Sequence, residues 1–121
     1  MQLKPAIQNI QSYVSLLKGG LLYDPRLSML LHLVEETRSV RDACSLMQIS
    51  YSAAWNMLNH VEDELGFPLV KRIRGGSVGS GSVLTEKGRI LMNAYDSFSA
   101  AIQHTAQDLY KEIFQDLPEF F

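Results

Sequence analysis

Two serines suited to capping helices, Ser39 and Ser50, lie eleven residues apart and constrain this chain more than any other feature. An apolar stripe at helical spacing follows each of them. After Ser39 it is short, made of Val40, Ala43, Cys44 and Met47. After Ser50 it is longer, running Ala54, Leu58, Val61 and Leu65, with Tyr51 and Trp55 flanking it. Gln48-Ile49 leaves room only for a tight connection, and Gly66 suits a helix C-terminal position. The outer face of the longer helix is small and polar: Ser52, Asn56, Asn59, His60 and Asp63, with Ala53 beside it. Two helices joined by a turn of a few residues, the second carrying such a face, make a helix-turn-helix, with Ser50-Tyr51-Ser52 opening its second helix.

The flanking segments complete an architecture. Asp24-Pro25 reads as an N-cap and first helical residue, and Leu27, Leu30, Leu31 and Val34 predict a helix over 25–37. Leu69-Val70-Lys71-Arg72-Ile73 reads as a strand and Ser82-Val83-Leu84 as its partner. The glycine-rich stretch from Arg74 to Gly81 between them is a basic hairpin tip, or wing. Thr85 can cap a long last helix in which Leu91, Tyr95, Phe98, Ile102, Thr105 and Leu109 recur in near-heptad fashion beside Ala94 and Ala101. With Ile113, Phe114, Leu117, Phe120 and Phe121 beyond it, this seam is expected to bury itself against a second copy. Near the N-terminus Ile10, Ser12, Val14 and Leu16 alternate with Gln11, Tyr13 and Ser15, which predicts a strand. Gly19-Gly20 is expected to turn it, through positive φ, into a return strand at Leu21-Leu22-Tyr23. A helix over 5–17 is the alternative, because Ile7, Ile10, Val14 and Leu17 also fit helical spacing. The expected fold is mainly α with a small β component: a winged helix-turn-helix with an N-terminal β-hairpin and a long C-terminal dimerisation helix. It divides into an arm over 1–24, the winged unit over 25–84 and the last helix over 85–121, in one structural domain.

Hydrophobic residues make up 46% of the chain and charged ones 20%, a balance that excludes disorder as the default. No apolar run approaches the roughly 18 residues of a membrane span, and Met1-Gln2-Leu3-Lys4-Pro5 does not open like a secretory signal. Cys44, the single cysteine, has no partner for an internal disulfide, and a reduced, cytoplasmic setting is the expectation. The net charge of −2 hides an uneven distribution. Residues 1–24 carry +1, 25–66 carry −3 and 90–121 carry −4, whereas 67–89 carry +4 through Lys71, Arg72, Arg74, Lys87 and Arg89 against Glu86. Positive charge is concentrated around the wing.

Reading DNA takes cations for phosphates and shaped polar groups for base edges. Ser50, Ser52, Ala53, Asn56, Asn59 and His60 are the candidate readers, since asparagine can pair bidentately with adenine and alanine can meet a thymine methyl. Their bland reading is a solvated helix face. No Lys or Arg lies between Ser50 and His60, so phosphate affinity must come from Lys71, Arg72 and Arg74, with Gly75, Gly76 and Ser77 letting a backbone approach. The glycines are not a nucleotide-binding loop, because no Gly-Lys-Ser/Thr follows them. Trp55 reads as a core plug rather than a stacking platform, and Cys44 as a small core residue. His32, His60 and His104 fall on different elements, and Glu62-Asp63-Glu64 reads as a solvated helix end. No catalytic set, metal site or cofactor site emerges, and the chain is not expected to be an enzyme.

The segment from Ser39 to Arg72 resembles the DNA-binding domain of LysR-type regulators through Ala43-Cys44, Ser50, Ala53, Leu58, Glu62, Leu65-Gly66, Leu69 and Arg72. A closer resemblance is to the N-terminal domain of ModE-type, molybdenum-responsive regulators. Ile49-Ser50-Tyr51-Ser52-Ala53-Ala54-Trp55 carries it, with Asp24-Pro25-Arg26, Gly75-Gly76, Gly79, Gly81, Val83-Leu84-Thr85 and Gly88. It covers about residues 10–110. It implies sequence-specific binding of double-stranded DNA by the Ser50–His60 helix and the wing, as a prokaryotic-type transcriptional regulator. It also implies a homodimer joined through Leu91, Tyr95, Phe98, Ile102, Leu109 and Ile113. In that family separate C-terminal domains bind the oxyanion; the expectation here is a chain with no molybdate-binding or other effector domain and no membrane partner. Ser77, Val78, Ser80 and Ser82 interrupt the nearly all-glycine wing of the family. The alternative function is a winged-helix protein-interaction module that does not bind DNA.

Overall fold

The structure is a computed structural model that describes residues 9–74 and 81–117. In chain order it contains β1 (Leu16–Leu17), β2 (Leu21–Tyr23), α1 (Pro25–Thr37), α2 (Val40–Met47) and α3 (Tyr51–Leu65). These are followed by β3 (Val70–Ile73), β4 (Gly81–Leu84) and α4 (Glu86–Phe114). The fold is a mainly helical winged helix-turn-helix with two small antiparallel hairpins, β1-β2 and β3-β4.

Each helix begins where its capping residue dictates. Asp24 accepts from the Leu27 N–H, Ser39 from Asp42, Ser50 from Ala53 and Thr85 from Gly88, all at 2.9–3.0 Å. The helix-turn-helix corner is closed by the chain itself. Gln48 turns into the left-handed region at φ 58°, and the N–H groups of Gln48 and Ile49 return to the Ser45 and Cys44 carbonyls. Arg38 makes the same left-handed turn after α1 at φ 60°, and Gly66 makes it after α3 at φ 81°. Glu62 is not a solvated end. Its carboxylate accepts the N–H groups of Leu69 and Val70 at 2.6 and 3.2 Å and holds the turn leading into β3.

The core is built around α1, whose Leu27, Leu30, Leu31 and Val34 are buried against Val40, Ala43 and Cys44 of α2 and Ala54, Leu58 and Val61 of α3. Leu69, Leu84 and Met92 close it from the wing side. The first turn of α4 lies so close to β3 that a Cβ on Gly88 would sit 2.3 Å from the Leu69 carbonyl oxygen. That carbonyl accepts the Thr85 N–H at 2.9 Å, and the Thr85 hydroxyl donates to Pro68 at 2.7 Å. Leu69 therefore serves this junction, and β3 begins one residue later than its side-chain pattern suggests.

The N-terminal segment is not helical over residues 9–15, and its side chains alternate as expected: Ile10, Ser12, Val14 and Leu16 are half-buried, Gln11, Tyr13 and Ser15 exposed. Strand pairing is nonetheless confined to Leu16–Leu17, and only Gly19, not Gly20, takes a positive φ. The reason is that α4 side chains replace a partner strand. Gln103 accepts the Ser12 N–H at 2.6 Å and donates to the Ile10 carbonyl at 2.9 Å, and the Tyr95 hydroxyl donates to the Val14 carbonyl at 2.7 Å. Residues 5–8 lie outside the described residues.

Candidate nucleic-acid interface

The N-terminal turn of α3 is open to solvent. Ser50 and Ser52 are exposed, their hydroxyls 3.3 Å apart, and Ala53 is half-buried beside them. Asn56 and Asn59 continue the exposed face. Seven residues of helix separate Ser52 from Asn59, a length of about 10 Å, comparable with the roughly 12 Å width of a major groove. His60 is exposed too, but its ring nitrogen Nε2 lies 3.1 Å from the Leu21 carbonyl of the N-terminal hairpin. It stands at the far end of this face, engaged with another part of the fold.

The three wing cations do not act as one group. Lys71 and Arg72 are successive strand residues and so leave β3 on opposite sides. Lys71 lines a mixed-charge groove with Glu35, Arg38, Glu86 and Arg89, where Arg89 is already held by Glu35 at 3.0 Å. Arg72 and Arg74 line a different groove of about 390 Å³, between α2, the start of α3 and the wing. Gly75, Gly76 and Ser77 lie outside the described residues.

That second groove also contains Arg41, from the first turn of α2. Among the described residues no carboxylate lines it, so three guanidinium groups share one concavity. The Arg41 guanidinium sits over the Tyr51 ring, 4.5 Å from its centroid, and Arg72 sits over Trp55 at 5.1 Å. The two rings, one helical turn apart on α3, meet edge to face at 6.2 Å and 81°. Trp55 packs half-buried against the core as expected, yet its outer face is a platform for an arginine. Arg41 escaped the sequence reading because it lies in the acidic 25–66 block. Its place, two residues past an N-cap and ten before Tyr51, was the available signal.

The residues expected at a dimer seam divide in two. Leu91 is half-buried and Tyr95 only 5% exposed, both against the chain's own core, and the Tyr95 ring packs on Tyr23 at 4.6 Å. Phe98, Ile102, Leu109 and Ile113 are exposed, as are Phe114 and Leu117. Elsewhere, Asp96 accepts from the Ser28 hydroxyl at 2.9 Å and pairs with His32. Among the described residues no group of three His, Cys, Asp or Glu could hold a metal, and no helix is long and apolar enough to cross a membrane.

Residues 26–89 match the bacterial regulatory helix-turn-helix proteins of the lysR family. The chain is also similar to the transcriptional regulator ModE of Yersinia pestis, with 36% identity over 96 residues, 79% of this chain and 36% of that protein. The DNA-binding transcriptional dual regulator ModE of Escherichia coli (strain K12) is 34% identical over the same shares of the two chains. The molybdenum transport protein ModE of Azotobacter vinelandii is 30% identical over 95 residues, 78% of this chain and 35% of that protein. The chain thus spans about a third of the length of these curated relatives. With a capped helix-turn-helix, a β3-β4 wing and a family match over residues 26–89, the chain belongs to the lysR-family bacterial regulatory helix-turn-helix proteins.

Proposed function

We propose that this protein binds double-stranded DNA as a homodimer and regulates transcription, without catalysing a reaction. The observation that carries the reading is the juxtaposition of the open Ser50–Asn59 face of α3 with a groove lined by arginines and, among the described residues, by no carboxylate. The helix face enters the major groove, where Ser52, Asn56 and Asn59 meet base edges and Ala53 can meet a thymine methyl. Ser50 holds the helix start, and Arg72 and Arg74 take the adjoining phosphates, with the sequence of Gly75, Gly76 and Ser77 permitting close backbone approach. His60 and Lys71 have supporting places at the margins of this surface. The family match and the cationic groove favour this reading over a protein-interaction module. A cytoplasmic location fits it.

The exposed Phe98, Ile102, Leu109 and Ile113 face of α4 supports pairing of two copies. A dimer of this kind reads a two-fold symmetric site with half-sites about one helical turn, or a multiple of it, apart. The test is equilibrium binding to duplex DNA over a series of salt concentrations. The expected result is tight, salt-sensitive binding, and a log K–log salt slope shallower by about 1.8 after the double change Arg72→Ala and Arg74→Ala, for two lost phosphate contacts. Salt-independent retention, or none at low salt, overturns the reading.

A further inference from the structure

Arg41 and Arg72 differ from Arg89, which also lines a groove beside the wing. Arg89, on the far side of the wing, is neutralised by Glu35. Among the described residues the side chains of Arg41 and Arg72 make no ion pair or hydrogen bond; each lies against an aromatic ring instead. A ring face holds a guanidinium by its plane and leaves the N–H donors along its edge free. Stacking also restricts a long, mobile side chain before any ligand arrives, so less conformational freedom is lost on binding. The two platforms are themselves joined, because Tyr51 and Trp55 are edge-to-face neighbours on α3. A pair of guanidinium groups is therefore held ready beside the helix start that carries Ser50 and Ser52, with Arg74 in the same groove. Three cations with no carboxylate among the lining residues fit an extended polyanion.

We propose that Arg41, which belongs to neither α3 nor the wing, is a third phosphate contact. It joins Arg72 and Arg74 in one clamp on the DNA backbone next to the bases that α3 reads. Tyr51 and Trp55 are its positioning residues: they touch no phosphate and hold Arg41 and Arg72 in register. This rests on the DNA-binding reading above and adds a residue and a mechanism to it. A phosphate contact carries no sequence information, so Arg41 contributes affinity equally on every duplex.

The experiment measures binding of the full chain to several unrelated duplexes across salt concentrations. Wild type is compared with Arg41→Gln, Tyr51→Leu, Tyr51→Phe and, as a control away from the groove, Arg26→Gln. Arg41→Gln is expected to make the log K–log salt slope shallower by about 0.9 and to weaken binding roughly five- to tenfold at 0.1 M salt, by the same factor on each duplex. Tyr51→Leu is expected to lose part of that slope although Arg41 is still present, and Tyr51→Phe, which keeps the ring, to retain it. Should Tyr51→Leu not fold, Arg41→Gln still decides the matter, because Arg41 is an exposed side chain. Salt-sensitive binding by wild type with an unchanged slope in Arg41→Gln overturns this inference alone. Loss confined to some duplexes overturns the phosphate assignment, and no salt-sensitive binding by wild type overturns it together with the reading beneath it. If Tyr51→Phe loses as much slope as Tyr51→Leu, the platform role is wrong.

Discussion

Tyr23 is fully buried between α1 and α4, its ring against Tyr95, and burial pushes its hydroxyl pKa up from 10.0 to about 12. The negative charges of Asp96 and Asp24 push the same way, and Ser28 offsets part of the rise. The folded state therefore keeps a proton that the unfolded chain gives up. Stability from this group is intact below pH 10 and is lost as pH rises from about 10 to about 12. Two units correspond to roughly 2–3 kcal/mol. Burial also raises the pKa of Cys44 and Tyr95, so they act in the same direction. Urea unfolding at a series of alkaline pH values should show a steeper fall for wild type than for Tyr23→Phe. Parallel curves would remove Tyr23 from the account. At this scale the sequence was a partial guide. It marked Cys44 and Trp55 as core residues, but the glutamate that ties α3 to β3 looked like a solvated charge until its two backbone partners came into view.

Among the elements, α3 is the one proposed to read DNA, and it depends on its first turn. The Ser50 hydroxyl oxygen accepts the Ala53 N–H at the helix end proposed to meet the DNA. Ser50→Ala is expected to lower stability by about 1 kcal/mol, as other lost caps do. It should also weaken DNA binding, because the turn presenting Ser52 frays. Thermal unfolding and a binding titration on the same sample check both effects; unchanged affinity would show that the cap is purely a folding device. Helix positions were legible in advance because caps and i, i+3, i+4 stripes are local signals. The N-terminal segment was harder to read. Its alternation favoured a strand but left a helix open, and nothing in residues 9–17 shows that Gln103 and Tyr95, some eighty to ninety residues later, satisfy its backbone.

For the whole molecule, the question is what covers α4. Its near-heptad seam looks continuous in the sequence, but packing divides it: the N-terminal part closes the core and the later part is left open. Phe98, Ile102, Leu109 and Ile113 are about 53%, 38%, 48% and 64% exposed, too much apolar surface in one stripe for an isolated helix face. The double change Phe98→Glu and Ile102→Glu is expected to shift sedimentation of the full chain from dimer to monomer at micromolar concentration. Helical content should remain near wild type, because neither side chain is in the core, and affinity for a two-half-site duplex should fall steeply. A wild-type monomer at that concentration would refute the dimer.

The sequence by itself determined the order of elements, their caps, the inward face of each helix and the presence of a basic wing. All of these are written in neighbouring residues through hydrogen-bond geometry and periodicity. It also showed that a helix with no cation between Ser50 and His60 needs its phosphate contacts from elsewhere. Only the tertiary structure decided where the cations able to make them lie. Strand alternation sends Lys71 to one groove and Arg72 to another, the corner after Ser39 brings Arg41 in from an acidic stretch, and two aromatic rings hold the guanidinium groups. These placements depend on how α2, α3 and the wing pack against α1, a long-range packing solution that no local window contains.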